Sequence, residues 1–184
     1  MNLSNRLFAI TTIAAALFVV AIPSSAAAQG FELRTTYKEV PGTREIESSR
    51  PMDAIRLSDI NLPHIHGLQK VAVLTNLCIG HIMVNQLDEA EGYCEEAASR
   101  PNERAVTRNN LGVLRALQGR FEAARADFAV AANVSCEDDC SDIGASDRDL
   151  PSHIARRNLQ KTEARMVEVA SSPTSERLTA QENR

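Results

Sequence analysis

The chain contains four cysteines, whose possible chemistry is disulfide formation, thiol redox exchange or metal binding. They are Cys78, Cys94, Cys136 and Cys140. A catalytic redox pair usually has the spacing CxxC within alternating strands and helices, and a zinc site needs better ligand spacing than these four offer. We therefore predict structural disulfides, which form in an oxidising compartment. The alternative for Cys78 and Cys94 is a pair of free buried thiols, and for Cys136 and Cys140 it is a redox or metal function.

Histidines and carboxylates are the other candidates for metal or acid–base chemistry. His64 and His66 are separated by one residue and have no obvious third ligand, while His81 and His153 fall on predicted helices. The acidic run 137–139 lacks the alternating ligands and the glycine of a calcium loop. The sequence contains no GxSxG, no HExxH and no phosphate-binding glycine loop. We predict no catalytic residue, no metal site and no cofactor, so the chain is not expected to be an enzyme.

The segment 1–28 has the order of a secretory signal peptide. Arg6 is the single charge of the leading segment, residues 7–22 are uncharged, and residues 24–28 are all Ser or Ala. This order predicts cleavage after Ala28. The alternative is an uncleaved anchor, although the apolar stretch is shorter than the roughly 20 residues that cross a bilayer. We therefore predict a periplasmic or secreted chain with no integral membrane span after cleavage.

Charge and composition restrict both the partner and the core. The formal net charge is −4, and loss of Arg6 with the signal makes it one unit more negative. A nucleic-acid-binding protein usually has the opposite balance, with basic residues clustered on one face. Aromatic residues make up 4% of the chain and Trp is absent, so the core must consist mainly of Ala, Leu, Val and Ile. Such a core favours closely packed helices.

An internal repeat occupies the middle of the chain. Residues 71–104 align without gaps with residues 105–138. The alignment matches apolar or small residues, namely Leu77 with Leu111, Leu87 with Phe121, Ala90 with Ala124, Cys94 with Phe128 and Ala97 with Ala131. In the second unit the matched slots from Phe121 to Ala131 are three or four residues apart, which places them on one face of a helix.

The second unit, RNNLGVLRALQGRFEAARADFAVAANV, resembles the tetratricopeptide family, whose repeat is about 34 residues long. The residues that carry the resemblance are Leu111, Gly112, Gly119, Phe121, Ala124, Phe128 and Ala131. The resemblance implies an all-α fold, a short right-handed α-solenoid of helical hairpins with a C-terminal capping helix. The sequence departs from the family pattern where His81 and Arg115 replace a large aromatic residue and Arg108 replaces a large apolar one.

Partial units flank the two repeats. Placing Asn158 on Asn110 also places Leu159 on Leu111, which predicts a further helix with Ser152 as its N-cap. Residues 29–40 are expected to be extended or disordered. The predicted organisation is a signal peptide (1–28), a region with a degenerate helical repeat (29–66), two repeats (67–135), an acidic cysteine-containing loop (136–151), a capping helix (152–170) and a disordered tail (171–184).

Cys78 and Cys94 lie at nearly equal distances from the turn expected at residues 85–86, so they should face each other across the first hairpin. A disulfide needs Cα atoms about 4.4–6.8 Å apart, and a crossing of small residues can bring two helices that close. Cys136 and Cys140 could form a second bridge within the acidic loop.

In the tetratricopeptide family, the first helices of successive repeats line a concave groove that holds an extended peptide or a helix of another protein. The resemblance places eight residues in this groove: Thr75, Ile79, Ile82, Met83, Asn109, Val113, Ala116 and Arg157. Asn76, Asn110 and Asn158 recur at equivalent positions, which either a structural role or a ligand contact would explain. The lysine with which some members hold a C-terminal carboxylate is absent, so that clamp is not implied. The mixed apolar and amide surface favours neutral peptide segments instead.

The sequence thus predicts a non-catalytic periplasmic interaction module, a scaffold or adaptor that binds a protein or peptide and no nucleic acid. One alternative is a structural or stress-related envelope protein that self-associates. A less favoured alternative is a metal-handling or redox protein, which would need free thiols or a bound metal.

Overall fold

The computed structural model describes residues 30–36, 39–100, 104–134 and 150–172. Every regular element in these ranges is helical, which confirms the all-α prediction. In chain order the helices are α1 (Thr43–Glu47), α2 (Pro51–Asn61), α3 (Gly67–Met83), α4 (Leu87–Ala98), α5 (Arg104–Leu117), α6 (Phe121–Ala132) and α7 (Pro151–Ala170). A short 3-10 turn, Leu62–His64, follows α2.

Several predicted segments lie outside the described residues. They are the signal peptide, nearly all of the acidic loop with Cys136 and Cys140, and the tail beyond residue 172. The capping helix begins at Pro151, one residue earlier than predicted, and Leu150 is its N-cap in place of Ser152. Proline suits the first helical position because its φ is already helical and no intrahelical N–H bond is needed there.

The helices pack in the order in which they occur in the chain. Each helix from α2 to α6 contacts the next one, and α5 also lies against both α3 and α7. The helices α3, α5 and α7 therefore form a row. Every residue of α3 from Val71 to Gly80 is buried, which accounts for its apolar composition on all sides. Among the described helices, none combines the length and the apolar character that crossing a membrane would need.

Two helical hairpins close with the same turn. After α3, the Gln86 N–H donates to the His81 carbonyl at 2.9 Å. The Asn85 N–H donates to the Ile82 carbonyl at 3.0 Å. After α5, the equivalent residues of the second repeat make the same two bonds at 2.8 and 3.1 Å. Asn85 and its equivalent Gly119 have φ of 60° and 77°, the left-handed conformation that this type of helix ending requires.

The turn between α1 and α2 has the same form. The Arg50 N–H donates to the Glu45 carbonyl at 2.7 Å, and the Ser49 N–H donates to the Ile46 carbonyl at 3.0 Å. Ser49 has a φ of 56°. α1 has 5 residues and α2 has 11, so the first helix of this hairpin is short. The hairpin lies within the region where the sequence predicts a degenerate repeat.

The residues that depart from the family pattern have partners at equivalent positions. His81 on α3 stacks on Tyr93 of α4, with ring centroids 5.5 Å apart. Arg115 on α5 donates to the Asp127 carboxylate of α6 at 2.6 Å, and Arg108 donates to the same carboxylate at 3.0 Å. Tyr93 and Asp127 occupy equivalent positions of the two repeats, as do His81 and Arg115. Each unusual first-helix residue is therefore matched by a partner on the second helix.

Small and bulky side chains alternate where α5 meets α6. Ala124, Phe128 and Ala131 are fully buried on one face of α6, as the repeat predicts. A Cβ atom added at Gly112 would lie 2.7 Å from the Phe128 ring, closer than carbon atoms normally approach. The backbone of α5 therefore packs directly on this ring, and only glycine leaves room for it.

We expect Gly112→Ala to lower the free energy of unfolding by about 1–3 kcal/mol, because the buried Phe128 ring must shift to admit a methyl group. Gly92→Ala is the matched control, since Gly92 is an exposed helical glycine whose added Cβ meets nothing within 4 Å. It should raise the free energy of unfolding by about 0.5–1 kcal/mol through helix propensity. Urea unfolding of both variants measures the difference, and equal effects would contradict the packing argument.

A disulfide joins Cys78 and Cys94 across the α3–α4 hairpin, which confirms the predicted pair. The two Sγ atoms are 2.07 Å apart and the Cα atoms 4.9 Å apart. Both residues belong to the main hydrophobic core and are almost completely buried. The bond therefore ties α3 to α4 from within the core.

Candidate functional site

An extended stretch of the chain lies across the row of helices that the sequence predicts to line a groove. Residues 30–36, which we call the inserted segment, contain no helix and contact α5 and α7 through hydrogen bonds. The extended alternative predicted for residues 29–40 is therefore correct for the inserted segment. The surface that it covers, which we call the groove, is formed by Asn109, Asn110, Arg157, Asn158 and Lys161.

Two asparagines of the groove each hold the main chain of one residue. Asn158 on α7 accepts from the Glu32 N–H at 3.0 Å and donates to the Glu32 carbonyl at 2.9 Å. Asn110 on α5 accepts from the Arg34 N–H at 3.0 Å and donates to the Arg34 carbonyl at 2.7 Å. In an extended chain the N–H and C=O of alternate residues point to the same side, so two amides can clamp residues i and i+2.

A third amide connects the two clamps. Asn109 donates to the Glu32 carbonyl at 2.9 Å and accepts from the Asn158 amide at 2.9 Å. The three side chains Asn109, Asn110 and Asn158 are almost completely buried. A buried amide without partners would be costly, so this network fixes the position of the inserted segment.

The equivalent asparagine of the first repeat makes a different contact. Asn76 on α3 donates to the Pro41 carbonyl at 3.2 Å and to the Thr43 hydroxyl at 2.9 Å. Proline has no N–H, and the buried Asn76 carbonyl oxygen has no hydrogen-bond partner among the described residues. Asn158, Asn110 and Asn76 thus contact Glu32, Arg34 and Pro41 respectively. The third contact is incomplete, because the Asn76 amide donates hydrogen bonds and accepts none from the described residues.

Apolar side chains on either side of Glu32 in the inserted segment pack into the core. Phe31 is 5% exposed and stacks on Phe128, with ring centroids 6.2 Å apart and an interplanar angle of 17°. The Arg165 guanidinium lies 5.7 Å from the Phe31 ring centroid, where its charge can interact with the ring face. Leu33 packs against two separate clusters of the core.

Glu32 is held by two basic side chains of α7. Arg157 donates to both carboxylate oxygens, at 2.9 and 2.6 Å, and Lys161 lies 3.3 Å from one of them. Lys161 also donates to the Gly30 carbonyl. The Arg157 hydrogen bond, supported by Lys161 and opposed by burial, lowers the pKa of Glu32 below its ordinary value. Two basic side chains thus hold the one acidic side chain of the inserted segment.

The structure brings two of the eight predicted groove residues, Asn109 and Arg157, into direct hydrogen bonds with the inserted segment. Five belong to apolar clusters that the inserted segment also joins: Ile82, Val113 and Ala116 lie in the cluster that contains Phe31, and Ile79 and the partly buried Met83 in the cluster that Leu33 packs against. The remaining residue, Thr75, donates to the Val71 carbonyl of its own helix at 2.8 Å. The inserted segment therefore contacts two of the eight predicted groove residues directly, and the groove itself stays a prediction.

Sequence reasoning missed the occupant and left the role of the repeated asparagines open. The signal for the occupant is the alternation of apolar Phe31 and Leu33 with polar Glu32 and Arg34, which is typical of an extended segment buried on one face. Within the described residues, no three His, Cys, Asp or Glu side chains are grouped as they would be at a metal site.

Acid should loosen the inserted segment. Because the pKa of Glu32 is lower in the folded chain than in the unfolded one, its contribution to docking is present at pH 7 and is lost as the pH falls below about 4. The chain has no Trp, so Phe31→Trp provides a single fluorescent reporter of the segment. We expect a red shift of its emission on acidification, before the helical circular dichroism is lost. Adding Glu32→Gln should remove this early step, and an unchanged early step would contradict the assignment.

Comparisons with known proteins identify no relative. No family model matches the chain, and no curated protein and no solved structure is significantly similar to it.

Proposed function

We propose that this chain is an exported, non-catalytic interaction module of the tetratricopeptide type, a short right-handed α-solenoid whose groove binds an extended peptide segment of a protein partner. The observation that carries the proposal is the clamping of alternate main-chain residues by Asn110 and Asn158. Side chains that bind main-chain atoms give affinity for an extended chain of many sequences, and neighbouring side-chain pockets add selectivity.

The equivalences between successive hairpins support the tetratricopeptide arrangement. The turns at Asn85 and Gly119 share their hydrogen bonds and left-handed conformation. The pairs His81–Tyr93 and Arg115–Asp127 occupy the same relative positions in the two repeats. The row of α3, α5 and α7 is what stacked hairpins produce when their first helices adjoin, and such a row is the surface on which repeat proteins of this kind bind.

The disulfide and the position of the inserted segment support export. A buried disulfide between Cys78 and Cys94 is typical of a protein that folds in an oxidising compartment. Cleavage after Ala28 would leave one residue, Gln29, in front of the inserted segment. The segment would then enter the groove close to a free chain end.

Selection from a random heptapeptide library tests the proposed function. The target is the full-length chain with Glu32→Lys, which places a lysine opposite Arg157 and Lys161 and should free the groove. We expect enriched peptides to bind this chain and to lose about tenfold in affinity when Asn110→Ala is added, because two main-chain hydrogen bonds are lost. Circular dichroism of each variant verifies that the helices remain.

Asn133→Ala is the matched control, because Asn133 is an exposed asparagine at the end of α6 and lies outside the groove. This change should leave the affinity of the enriched peptides unaltered. A library that yields no enriched peptide, or only peptides that bind equally well without the Asn110 amide, would show that the groove is not a peptide site.

A further inference from the structure

The inserted segment defines three side-chain positions in the groove. Phe31 occupies an aromatic position formed by Phe128 and the Arg165 guanidinium. Glu32 occupies an acidic position in front of Arg157, whose two donors match a carboxylate in geometry as well as in charge. Leu33 contacts apolar side chains of the core.

The main-chain clamps fix the register in which these positions can be filled. Asn158 clamps the residue that carries the acidic side chain, and Asn110 clamps the residue two places later. A shift of one residue would present an apolar side chain to Arg157 and an acidic one to the aromatic position. Because successive residues of an extended chain face opposite sides, such a shift would mismatch every contact at once.

We propose that the groove selects partner segments in which an aromatic residue is followed directly by an acidic residue and then by an apolar one. The inserted segment is the chain's own copy of this ligand, and a partner segment must displace it in order to bind. This inference rests on the proposed function. The occupant is a protein segment of that chemistry, recognised in extended form and in one register.

Because the inserted segment occupies the groove, a partner needs a minimum affinity in order to displace it. When only a small fraction of the molecules has an open groove, the apparent dissociation constant of a ligand rises by the inverse of that fraction. A segment tied to the groove by its own chain is also present at a high effective concentration. A peptide of modest affinity would therefore be excluded, and a partner that bears the full aromatic, acidic and apolar set would be admitted.

The incomplete contact at Asn76 leaves room for a better ligand. The inserted segment satisfies both halves of the Asn110 and Asn158 amides, whereas Pro41 supplies Asn76 with a carbonyl and no N–H. A partner segment with any residue other than proline at that point could occupy both halves of all three clamps. The chain beyond the resident copy thus leaves part of the third amide unused, and a longer partner segment could use it.

Binding of a labelled peptide with the sequence GFELRTT, which is residues 30–36, tests this inference by fluorescence anisotropy. We expect the full-length Glu32→Lys chain to bind the peptide at least about tenfold more tightly than the unaltered chain does, because the unaltered groove is occupied. We compare the peptide with a scrambled peptide of the same composition and with a peptide that has Lys in place of Glu. Each of these should bind at least about tenfold more weakly than GFELRTT.

A variant with reversed charge in the groove provides the matched comparison. In the otherwise unaltered chain, Arg157→Glu places a glutamate opposite Glu32, which should free the groove by repulsion, and GFKLRTT should then bind more tightly than GFELRTT. Arg157 is partly exposed, so this change should leave the fold intact. If the Glu32→Lys chain loses helical structure, titration of the unaltered chain with excess peptide takes its place, and the order of the peptides is expected to be the same.

Three results would overturn the inference. One is a folded Glu32→Lys chain that does not bind GFELRTT, and another is equal affinity for the scrambled peptide. The third is a dimer of the unaltered chain in light scattering that dissociates on addition of GFELRTT, because the occupant would then be a second copy. Library peptides that need Asn110 but lack the aromatic and acidic pair would overturn this inference alone and leave the proposed function standing.

Discussion

Replacing Phe128 by alanine is expected to lower the free energy of unfolding by about 3–5 kcal/mol. Among the residues that the structure describes, Phe128 is the largest fully buried side chain, and its ring contacts both the backbone at Gly112 and the ring of Phe31. Its truncation would leave a cavity that the surrounding helices cannot close without breaking other contacts. Equilibrium urea unfolding followed by circular dichroism measures the loss.

Val130→Ala is the control for this prediction. Val130 lies on the same helix but is 38% exposed, so its truncation should change the free energy of unfolding by no more than about 0.5 kcal/mol. The Phe128 variant should also release the inserted segment, because Phe31 loses its stacking partner. A stability loss of less than about 1 kcal/mol in the Phe128 variant would mean that this ring is not the centre of the core.

Removal of the disulfide should have the next largest effect. In the chain-entropy model a crosslink that closes a loop of about 15 residues stabilises the folded state by about 3 kcal/mol, and Cys78 and Cys94 are separated by 16 positions. We expect Cys78→Ala with Cys94→Ala to lose about 2–4 kcal/mol. Thermal unfolding with and without a reducing agent measures the same quantity in the unaltered chain.

The other two cysteines supply the control. A chain with Cys136→Ser and Cys140→Ser should retain its sensitivity to the reducing agent, whereas the chain without Cys78 and Cys94 should lose most of it. Sensitivity that follows Cys136 and Cys140 instead would place the stabilising crosslink in the acidic loop.

The elements of the fold that depend on local sequence were predictable. The turn expected at residues 85–86 forms there with Asn85 in the left-handed conformation, and the face of α6 that carries Ala124 and Phe128 follows from their spacing. The pairing of Cys78 with Cys94 followed from their equal distances to the turn. In each case neighbours in the chain determine the geometry.

Features that depend on contacts distant in sequence were not predictable from a single chain. In the sequence, Arg108 and Arg115 were recognisable only as departures from a family pattern. In the structure both of them donate hydrogen bonds to the Asp127 carboxylate. The inserted segment was equally hidden, because side-chain amides on α5 and α7 take the place of a neighbouring strand. Its alternating pattern has no second strand with which it could be matched.

The inserted segment also changes how the molecule should unfold. In a stack of hairpins each unit has only nearest-neighbour contacts, so the ends can fray one unit at a time. Here Glu32, from the start of the described chain, is bonded to Arg157 and Asn158 near its end. This contact joins the first part of the described chain to its last helix. Unfolding at either end should therefore destabilise the other end. We therefore expect a single cooperative transition in place of sequential melting.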